Sequence, residues 1–240
     1  MTSRKDTPKL PVVTLDGPAG VGKTTLARRV AEALGLPYLD TGAMFRTLAL
    51  RLGPDAEALP AEALRARCAA WPFTLAGTGA ATRLFCDGTP VGDEIRTEAV
   101  GLLAARLGTV PAARDILKEA QRRMGEAAPL VAEGRDMGTA VFPNARFKFF
   151  LDASPEIRAR RRLLDLAQRG QSADLATLTE QIRQRDTMDR ERAVAPLRPA
   201  PDARIVDTSA LDIDGVFQAL INYIDANGGR AALGATGAGR

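Results

Sequence analysis

The chain of 240 residues contains no histidine and two cysteines, Cys68 and Cys86, neither of which belongs to a cluster of metal ligands. Without histidine, neither a histidine-based catalytic triad nor a cysteine–histidine zinc site is available. Aromatic residues make up 5%, and no run of basic residues is interleaved with rings that would stack on bases. The composition therefore argues against many hydrolases and zinc proteins, and we expect no nucleic-acid partner.

Long apolar runs are also lacking. None approaches the roughly 20 residues that a membrane-spanning helix needs, and residues 1–6 have no apolar stretch typical of a secretory signal. We therefore expect no membrane contact and a cytoplasmic location. The net charge is +4, and most of the basic residues are arginine. Phosphate binding favours arginine, but a GC-rich genome explains the same bias.

A glycine-rich stretch follows the first apolar segment. Residues 10–16 predict a buried strand, and apolar residues at helical spacing from Val21 to Leu34 predict a helix. Residues 17–24 between them match the pattern G-x-x-x-x-G-K-[ST], in which backbone N–H groups surround the phosphates of a nucleotide. Lys23 is the expected catalytic point charge and Thr24 the expected Mg²⁺ ligand. The residues expected to bind ATP are Gly17, Pro18, Ala19, Gly20, Val21, Gly22, Lys23, Thr24 and Thr25.

The remaining periodicity predicts an α/β fold with a parallel central sheet. Short runs between glycine-rich turns at residues 61–91 predict inserted antiparallel strands. Buried strands are expected at residues 130–133 and 146–151, and two polar, charged helices at residues 155–168 and 175–192. A final strand and an amphipathic helix follow, and the Gly/Ala-rich segment from Gly228 onward is expected to be disordered.

Several polar residues are candidates for holding a second substrate. Thr41 is predicted to cap the helix of residues 41–52, and Arg46 follows five positions later, which together make a workable grip on a phosphate. Arg135 and Asp136 follow a buried strand, where open α/β sheets bind their ligands. Arginines crowd both polar helices, where they either close over a transferring phosphoryl group or form ordinary surface ion pairs.

These motifs resemble those of bacterial cytidylate kinases over nearly the whole chain, from Val13 to about Tyr223. The segments that carry the resemblance are Leu15-Asp16-Gly17-Pro18, Asp40-Thr41-Gly42-Ala43, Glu94-Ile95-Arg96-Thr97, Gly134-Arg135-Asp136-Met137-Gly138-Thr139, Val141-Phe142-Pro143, and the stretch from Arg185-Asp186 to Pro196-Leu197. The sequence departs from the family pattern at Ala105, where the family often has serine or threonine near the base.

The resemblance implies a three-layer P-loop NTPase fold with three functional regions. These are a core of residues 10–40, 107–154 and 193–226, an acceptor-binding region of residues 41–106, and a lid of residues 155–192, followed by a disordered tail at 227–240. Asp136 would accept a hydrogen bond from the cytosine amino group, and Asp189 would bind the sugar hydroxyls. The expected substrate-binding residues are Thr41, Arg46, Arg114, Arg135, Asp136, Asp189 and Arg192.

The expected reaction is direct in-line transfer from ATP to CMP or dCMP with Mg²⁺, by a monomer. Among the lid arginines, Arg162 and Arg185 are expected to be catalytic, together with Lys23. Two alternatives stay open: another small-molecule kinase acting on UMP, AMP or shikimate, and a nucleic-acid-dependent ATPase or regulatory ATP switch. The latter classes usually end an apolar strand in Asp, whereas residues 130–134 end in Glu133-Gly134.

Overall fold

The computed structural model describes residues 10–168 and 170–233. That part of the chain contains both strands and helices, as the periodicity predicts. The strands are β1 (Leu10–Asp16), β2 (Tyr38–Asp40), β3 (Phe73–Ala76), β4 (Arg83–Cys86), β5 (Thr89–Pro90), β6 (Leu130–Gly134), β7 (Ala145–Asp152) and β8 (Arg204–Asp207). The helices are α1 (Lys23–Leu34), α2 (Thr41–Leu52), α3 (Ala61–Ala69), α4 (Glu98–Leu107), α5 (Pro111–Ala127), α6 (Pro155–Gln168), α7 (Leu175–Glu191), α8 (Ile213–Ala226) and α9 (Gly229–Ala232).

The central sheet of the described chain has five parallel strands in the order β2-β6-β1-β7-β8. Strand β1 lies in the middle, and its alternate side chains enter two separate cores. Val13 and Leu15 pack in a core with α1 and α8, whereas Val12 packs in a second core with α2 and α5. The predicted α/β class with a parallel sheet covered on both faces is confirmed.

A small antiparallel sheet of β3, β4 and β5 forms the predicted insertion. It is fastened to the core next to α1, where the Gly79 N–H donates to the Leu36 carbonyl at 2.8 Å. The Tyr38 N–H also donates to the Thr82 hydroxyl at 3.2 Å. The insertion is therefore anchored to the helix that follows the glycine turn and to strand β2.

The two polar helices α6 and α7 pack mainly against each other and bury few side chains. On α6 the buried residues are Arg158 and Ala159, and on α7 they are Thr179 and Asp186. An exposed ion pair between Arg183 and Glu156 also joins the helices, at 2.6 Å. The buried ion pair between Arg158 and Asp186 therefore lies at the centre of this helix pair, where an apolar stripe would ordinarily pack.

The C-terminal segment differs from its prediction. A disordered tail was expected from Gly228, but α9 follows it and Leu233 is fully buried in the core beside Ile224. The composition of the segment does not predict this contact, because a single leucine among glycine and alanine residues forms no apolar periodicity. The rest of the predicted tail, residues 234–240, lies outside the described residues.

Candidate active site

The glycine turn between β1 and α1 has a backbone that side chains would disrupt. Gly20 and Gly22 have φ of +77° and +91°, in the left-handed region that favours glycine. Gly17 has φ of +148°, and a Cβ there would lie 2.2 Å from the Leu151 carbonyl oxygen. Gly22 caps α1 without a side-chain oxygen, so the first N–H groups of the helix remain available to an anion.

Lys23 lies beside this turn with its side chain buried, and its Nζ donates to the Pro18 carbonyl at 2.6 Å. Burial lowers the pKa of Lys23 well below its ordinary value, and the positive charge of Arg135 adds to the effect. A polyphosphate in the turn would supply the negative charge that favours the ammonium form. The residues present therefore fit the triphosphate of ATP.

Glu133, the penultimate residue of β6, is buried next to Lys23 and accepts a hydrogen bond from the Tyr38 hydroxyl. Burial raises the pKa of Glu133, with Asp40 adding to the effect, while Lys23 and hydrogen bonds from Tyr38 and Thr24 oppose it. The carboxyl group of Glu133 therefore lies within reach of Thr24, the hydroxyl expected to hold Mg²⁺. Oxygen ligands of this kind suit that ion.

The start of α2 is arranged differently from the prediction. Asp40 is the N-cap, because its Oδ1 accepts the Ala43 N–H at 2.8 Å. The prediction that Thr41 caps the helix is therefore wrong. The Thr41 hydroxyl instead donates to the Glu133 carbonyl at 2.6 Å, which ties α2 to the end of β6. Arg46 folds back toward Gly42 on the first turn of the helix.

Asp136 is held between two arginines that come from distant parts of the chain. It forms an ion pair with Arg114, and its Oδ1 lies 3.3 Å from Nη2 of Arg192. All three side chains are less than 10% exposed. Among the described residues, Nε of Arg114 is buried and makes no hydrogen bond, and Nη2 of Arg192 faces the Asp136 carboxylate without making a hydrogen bond to it. Buried N–H donors without partners are costly, so these two atoms suit the acceptor atoms of a ligand.

A cavity of about 200 Å³ opens beside this group. Its walls are both polar and apolar, which is typical of a small-molecule site. They are formed by Phe45, Arg114, Asp115, Lys118, Gln121, Asp136, Ala140, Val141, Val194 and Ala195.

A second ion-pair group lies between this cavity and the glycine turn. Arg135 Nε donates to Asp189 Oδ2 at 2.8 Å, and Arg192 lies 3.8 Å from the other oxygen of Asp189. Burial opposes ionisation of Asp189, but Arg135 and Arg192 outweigh it and hold its pKa below the ordinary value. Three separate segments thus bring together the predicted residues Arg114, Arg135, Asp136, Asp189 and Arg192.

Four positively charged side chains, Lys23, Arg46, Arg135 and Arg185, lie near one another around the second group. Arg135 repels both Lys23 and Arg185, and Arg46 also repels Arg185. Partial desolvation, followed by the repulsion from Arg135, lowers the pKa of Arg185, although its side chain is exposed at the surface. Four cations that face one another in this way favour the binding of an anion among them.

Comparison with known proteins agrees with this geometry. The family model described as cytidylate kinase matches residues 13–226. The chain belongs to the cytidylate kinase family.

Curated members of the family match most of the chain. It is 64% identical over 220 residues to the cytidylate kinase of Nitratidesulfovibrio vulgaris strain Hildenborough, covering 92% of this chain and 95% of that one. The cytidylate kinase of Oleidesulfovibrio alaskensis is 58% identical, covering 89% and 97%. That of Methylococcus capsulatus is 43% identical, covering 91% and 98%. The predicted family membership is therefore confirmed.

A solved structure supports the fold alone. The uncharacterized protein from Eubacterium ventriosum matches with a TM-score of 0.50 at 14% identity, covering 91% of this chain and 99% of that one. At such low identity the likeness bears on chain topology and on nothing else.

The two lid arginines predicted to be catalytic have different surroundings in this member of the cytidylate kinase family. Arg162 is paired with Glu98 at the start of α4, and both side chains are well exposed. Arg185 lies near Arg135 and Arg46 and is therefore close to the converging cations. Ala105 is half-buried on α4 and is not among the residues that line the 200 Å³ cavity.

Sequence reasoning missed three residues that the structure of this cytidylate kinase family member brings to the site. Glu133 was weighed only as a departure from a metal-binding aspartate, although a carboxylate at the end of a buried strand is itself a signal. Asp16 was quoted only as part of a motif, yet it ends β1 and accepts two backbone hydrogen bonds. Arg158 is one of the arginines for which the sequence left open either a role at the phosphoryl group or a surface ion pair, and it is 1% exposed.

A larger cavity, of about 570 Å³, lies at the carboxyl ends of β7 and β8, beside the lid. One of its walls is Arg158, whose Nη1 donates to the Ala19 carbonyl of the glycine turn at 3.0 Å. Its other lining residues are Asp152, Ala153, Ser154, Pro155, Asp186, Arg190, Ile205, Asp207 and Ser209. No pattern in the sequence predicts this cavity.

Proposed function

We propose that this member of the cytidylate kinase family transfers the γ-phosphoryl group of ATP to the phosphate of CMP or dCMP. The observation that carries the proposal is the buried carboxylate of Asp136, held by Arg114 and Arg192 at the wall of a cavity of about 200 Å³. A carboxylate there accepts from the amino group of cytosine, and uracil has no such donor. The pocket thus has the chemistry that distinguishes cytosine from uracil.

The phosphate donor would bind at the glycine turn. Gly20 and Gly22 keep the turn open for phosphate oxygens, and the N-terminus of α1 adds its partial positive charge. Lys23 would release its bond to Pro18 and move onto the β- and γ-phosphates. The other residues of the predicted turn, up to Thr25, would contribute to the same site.

Magnesium would be held at Thr24. Among the described residues no group of three or more acidic, cysteine or histidine side chains is clustered to hold a metal by itself. The Thr24 hydroxyl, with Glu133 beside it, would therefore share the ion with phosphate oxygens of the nucleotide. When bound, Mg²⁺ neutralises the charge that develops on those oxygens.

The acceptor phosphate would lie among the converging cations. Arg46, Arg135 and Arg185 bear the charges that a monophosphate would neutralise, and Thr41 lies on the first turn of the same helix as Arg46. Asp189 would accept hydrogen bonds from the sugar hydroxyls. In this proposal the donor would lie on one side of Lys23 and the acceptor on the other.

The transfer itself would be direct. An oxygen of the acceptor phosphate attacks the γ-phosphorus of ATP, the bond to the β-phosphate oxygen breaks, and ADP and CDP are the products. The acceptor is already an anion at neutral pH, so no strong general base is needed. Lys23 and Arg185 would offset the charge on the transferring group, and Arg162 would do so once the lid closes and its pair with Glu98 opens.

The experiment is a coupled assay of ADP release with ATP, Mg²⁺ and one acceptor at a time. We expect turnover with CMP and dCMP, and kcat/KM at least about tenfold lower with UMP, AMP or shikimate. Faster turnover with AMP or shikimate than with CMP would favour the alternative that the protein is another small-molecule kinase. ADP release stimulated by DNA or RNA, with no acceptor phosphorylated, would favour an ATPase and overturn the proposal.

The remaining expectations stay predictions. No helix in residues 10–168 or 170–233 is both long and apolar enough to cross a bilayer. We propose that the enzyme works as a monomer in the cytoplasm and that it has no nucleic-acid partner. Sedimentation velocity at several concentrations tests the monomer, and a retardation assay with DNA and RNA tests the last point.

A further inference from the structure

Asp16 and Asp136 lie in one hydrogen-bonded arrangement, although 120 positions separate them in the sequence. Asp136 stands just before a single π-helical turn, Met137–Val141. The first N–H groups of such a turn have no partner within it. An aspartate in the position of Asp136 ordinarily accepts them with its own carboxylate, as an N-cap does.

Here that role belongs to Asp16 on β1. Its Oδ1 accepts the Met137 N–H at 2.8 Å, and its Oδ2 accepts the Gly138 N–H at 2.7 Å. The side chain of Asp136 makes no capping hydrogen bond to its own turn. It is instead directed to Arg114 and Arg192 at the wall of the cavity.

The fit between Asp16 and the turn is close. Asp16 is 4% exposed, and a Cβ at Gly138 would lie 3.3 Å from Oδ2 of Asp16 and 3.1 Å from the Thr14 hydroxyl. Asp16 also immediately precedes Gly17, the first residue of the glycine turn. The carboxylate of Asp16 thus fixes the start of the π-helical turn Met137–Val141 relative to the glycine turn.

We propose that Asp16 is a positioning residue for base recognition: by accepting the Met137 and Gly138 N–H groups, it leaves the Asp136 carboxylate free to face the acceptor base. This inference rests on the proposed function. Without Asp16, the two N–H groups lose their acceptor, and Asp136 is the nearest carboxylate that can turn back to replace it. Asp136 would then leave Arg114 and the base.

The test compares Asp16→Asn with a matched control on the same strand face. An asparagine keeps one acceptor oxygen and turns an NH₂ group toward the other N–H. We expect the Kd of CMP, measured by calorimetry, and its KM to rise about tenfold, equivalent to about 1.4 kcal/mol. The CMP-to-UMP preference falls by a similar factor, while the KM for ATP changes less than about twofold.

Thr14→Val is the matched control. Thr14 lies two residues earlier on the same face of β1, is fully buried, and contributes no hydrogen bond to the turn from its hydroxyl. We expect this variant to leave both affinities and the CMP-to-UMP preference unchanged. If Thr14→Val lowers the CMP-to-UMP preference as much as Asp16→Asn does, any substitution on this face of β1 lowers the preference. That result would overturn the proposal.

A double-mutant cycle separates positioning from a structural role. In the background Asp136→Asn, adding Asp16→Asn should change the CMP affinity by less than about twofold, because the carboxylate to be positioned is already absent. Equal effects of Asp16→Asn in both backgrounds would overturn the proposal. If Asp16→Asn does not fold, Asp16→Glu, which keeps the charge but displaces the oxygens, is measured in the same way.

Failure of the inference can be distinguished from failure of the proposed function. Wild-type protein that does not phosphorylate CMP would overturn the function itself. Wild-type protein that prefers CMP to UMP, with the preference and the CMP affinity intact in both Asp16 variants, would overturn the positioning role alone.

Discussion

Arg158 on the lid helix α6 forms a buried ion pair with Asp186 on α7 and also donates a hydrogen bond to the Ala19 carbonyl at 3.0 Å. One guanidinium thereby links both lid helices to the glycine turn. A third bond, from Nε to the Ala153 carbonyl at 2.9 Å, fixes the side chain to the end of β7. The helix pair of α6 and α7 is therefore attached beside the glycine turn through a buried, desolvated side chain.

The first prediction concerns this attachment. Arg158→Met should lower the free energy of unfolding by about 3–5 kcal/mol, because Asp186 is left buried without its partner. The matched control is Arg183→Met, which breaks the exposed pair with Glu156 and should cost less than about 1 kcal/mol. Urea denaturation measures both. Equal stabilities for the two variants would show that the buried pair is not needed to attach the lid.

The second prediction concerns the glycine turn. Gly17→Ala should abolish ATP binding and reduce stability, because its Cβ would collide with the Leu151 carbonyl oxygen. Gly20→Ala is the control, since its Cβ has no neighbour nearer than 3.6 Å and only the backbone strain of about 1–2 kcal/mol applies. Fluorescence titration with a labelled ATP analogue measures both. Tight binding by Gly17→Ala would contradict the geometry described here.

The third prediction concerns the base. Asp136→Asn should lower the ratio of kcat/KM for CMP over UMP by about tenfold or more, or about 1.4 kcal/mol, because the amide keeps one acceptor oxygen but also presents an NH₂ group that can donate to O4 of uracil. Loss of the negative charge between Arg114 and Arg192 affects the binding of both substrates equally. The ratio cancels that common effect and is therefore the quantity to measure. An unchanged ratio would mean that another group reads the base.

The strands and the ligand-binding turn could be predicted from the sequence because each depends on nearby residues. The pattern from Gly17 to Thr24 fixes its own local structure, and the buried runs of β1 and β6 are continuous. The capping of α2 by Asp40 and the burial of Leu233 were missed for a physical reason. Asp40 and Thr41 are equally suitable as helix caps, and tertiary packing decides which of them accepts the N–H group. Packing likewise decides whether an isolated leucine such as Leu233 is buried.

For the site, the sequence predicted several of the residues but not the contacts between them. Family resemblance supplied Arg114 and Asp189 as site residues, but the contacts around them join three segments that only the fold brings together. Asp16 binds N–H groups 121 and 122 residues away, and no spacing rule relates residues so far apart. Arg158 has the same sequence character as its surface neighbours, and only its burial distinguishes it.

The fourth prediction concerns pH. Burial raises the pKa of Asp16 to about 6, against hydrogen bonds from Gly138 and Met137, with Asp136 raising it further and Lys23 lowering it. An acid whose pKa is higher in the folded state destabilises that state as pH rises between the unfolded and folded values. Relative to Asp16→Asn, wild-type protein should therefore lose up to about 3 kcal/mol of unfolding free energy between pH 4 and pH 7.

Urea denaturation of both proteins at several pH values gives that difference. The comparison cancels other groups that titrate in the same range, including Glu133, whose pKa is raised by burial. The charged groups that face Asp16 are Lys23, Arg135 and Asp136, and they are the same in both proteins. A difference that stays constant, or that grows in favour of wild-type protein as pH rises, would contradict a raised pKa.

The most direct measurement of the central claim is ³¹P nuclear magnetic resonance of a mixture of the protein, ATP, Mg²⁺ and CMP. The account predicts that signals of CDP and ADP grow together in equal amounts, and that Lys23→Met, which removes the charge beside the glycine turn, abolishes both. ADP and inorganic phosphate growing without CDP would contradict it.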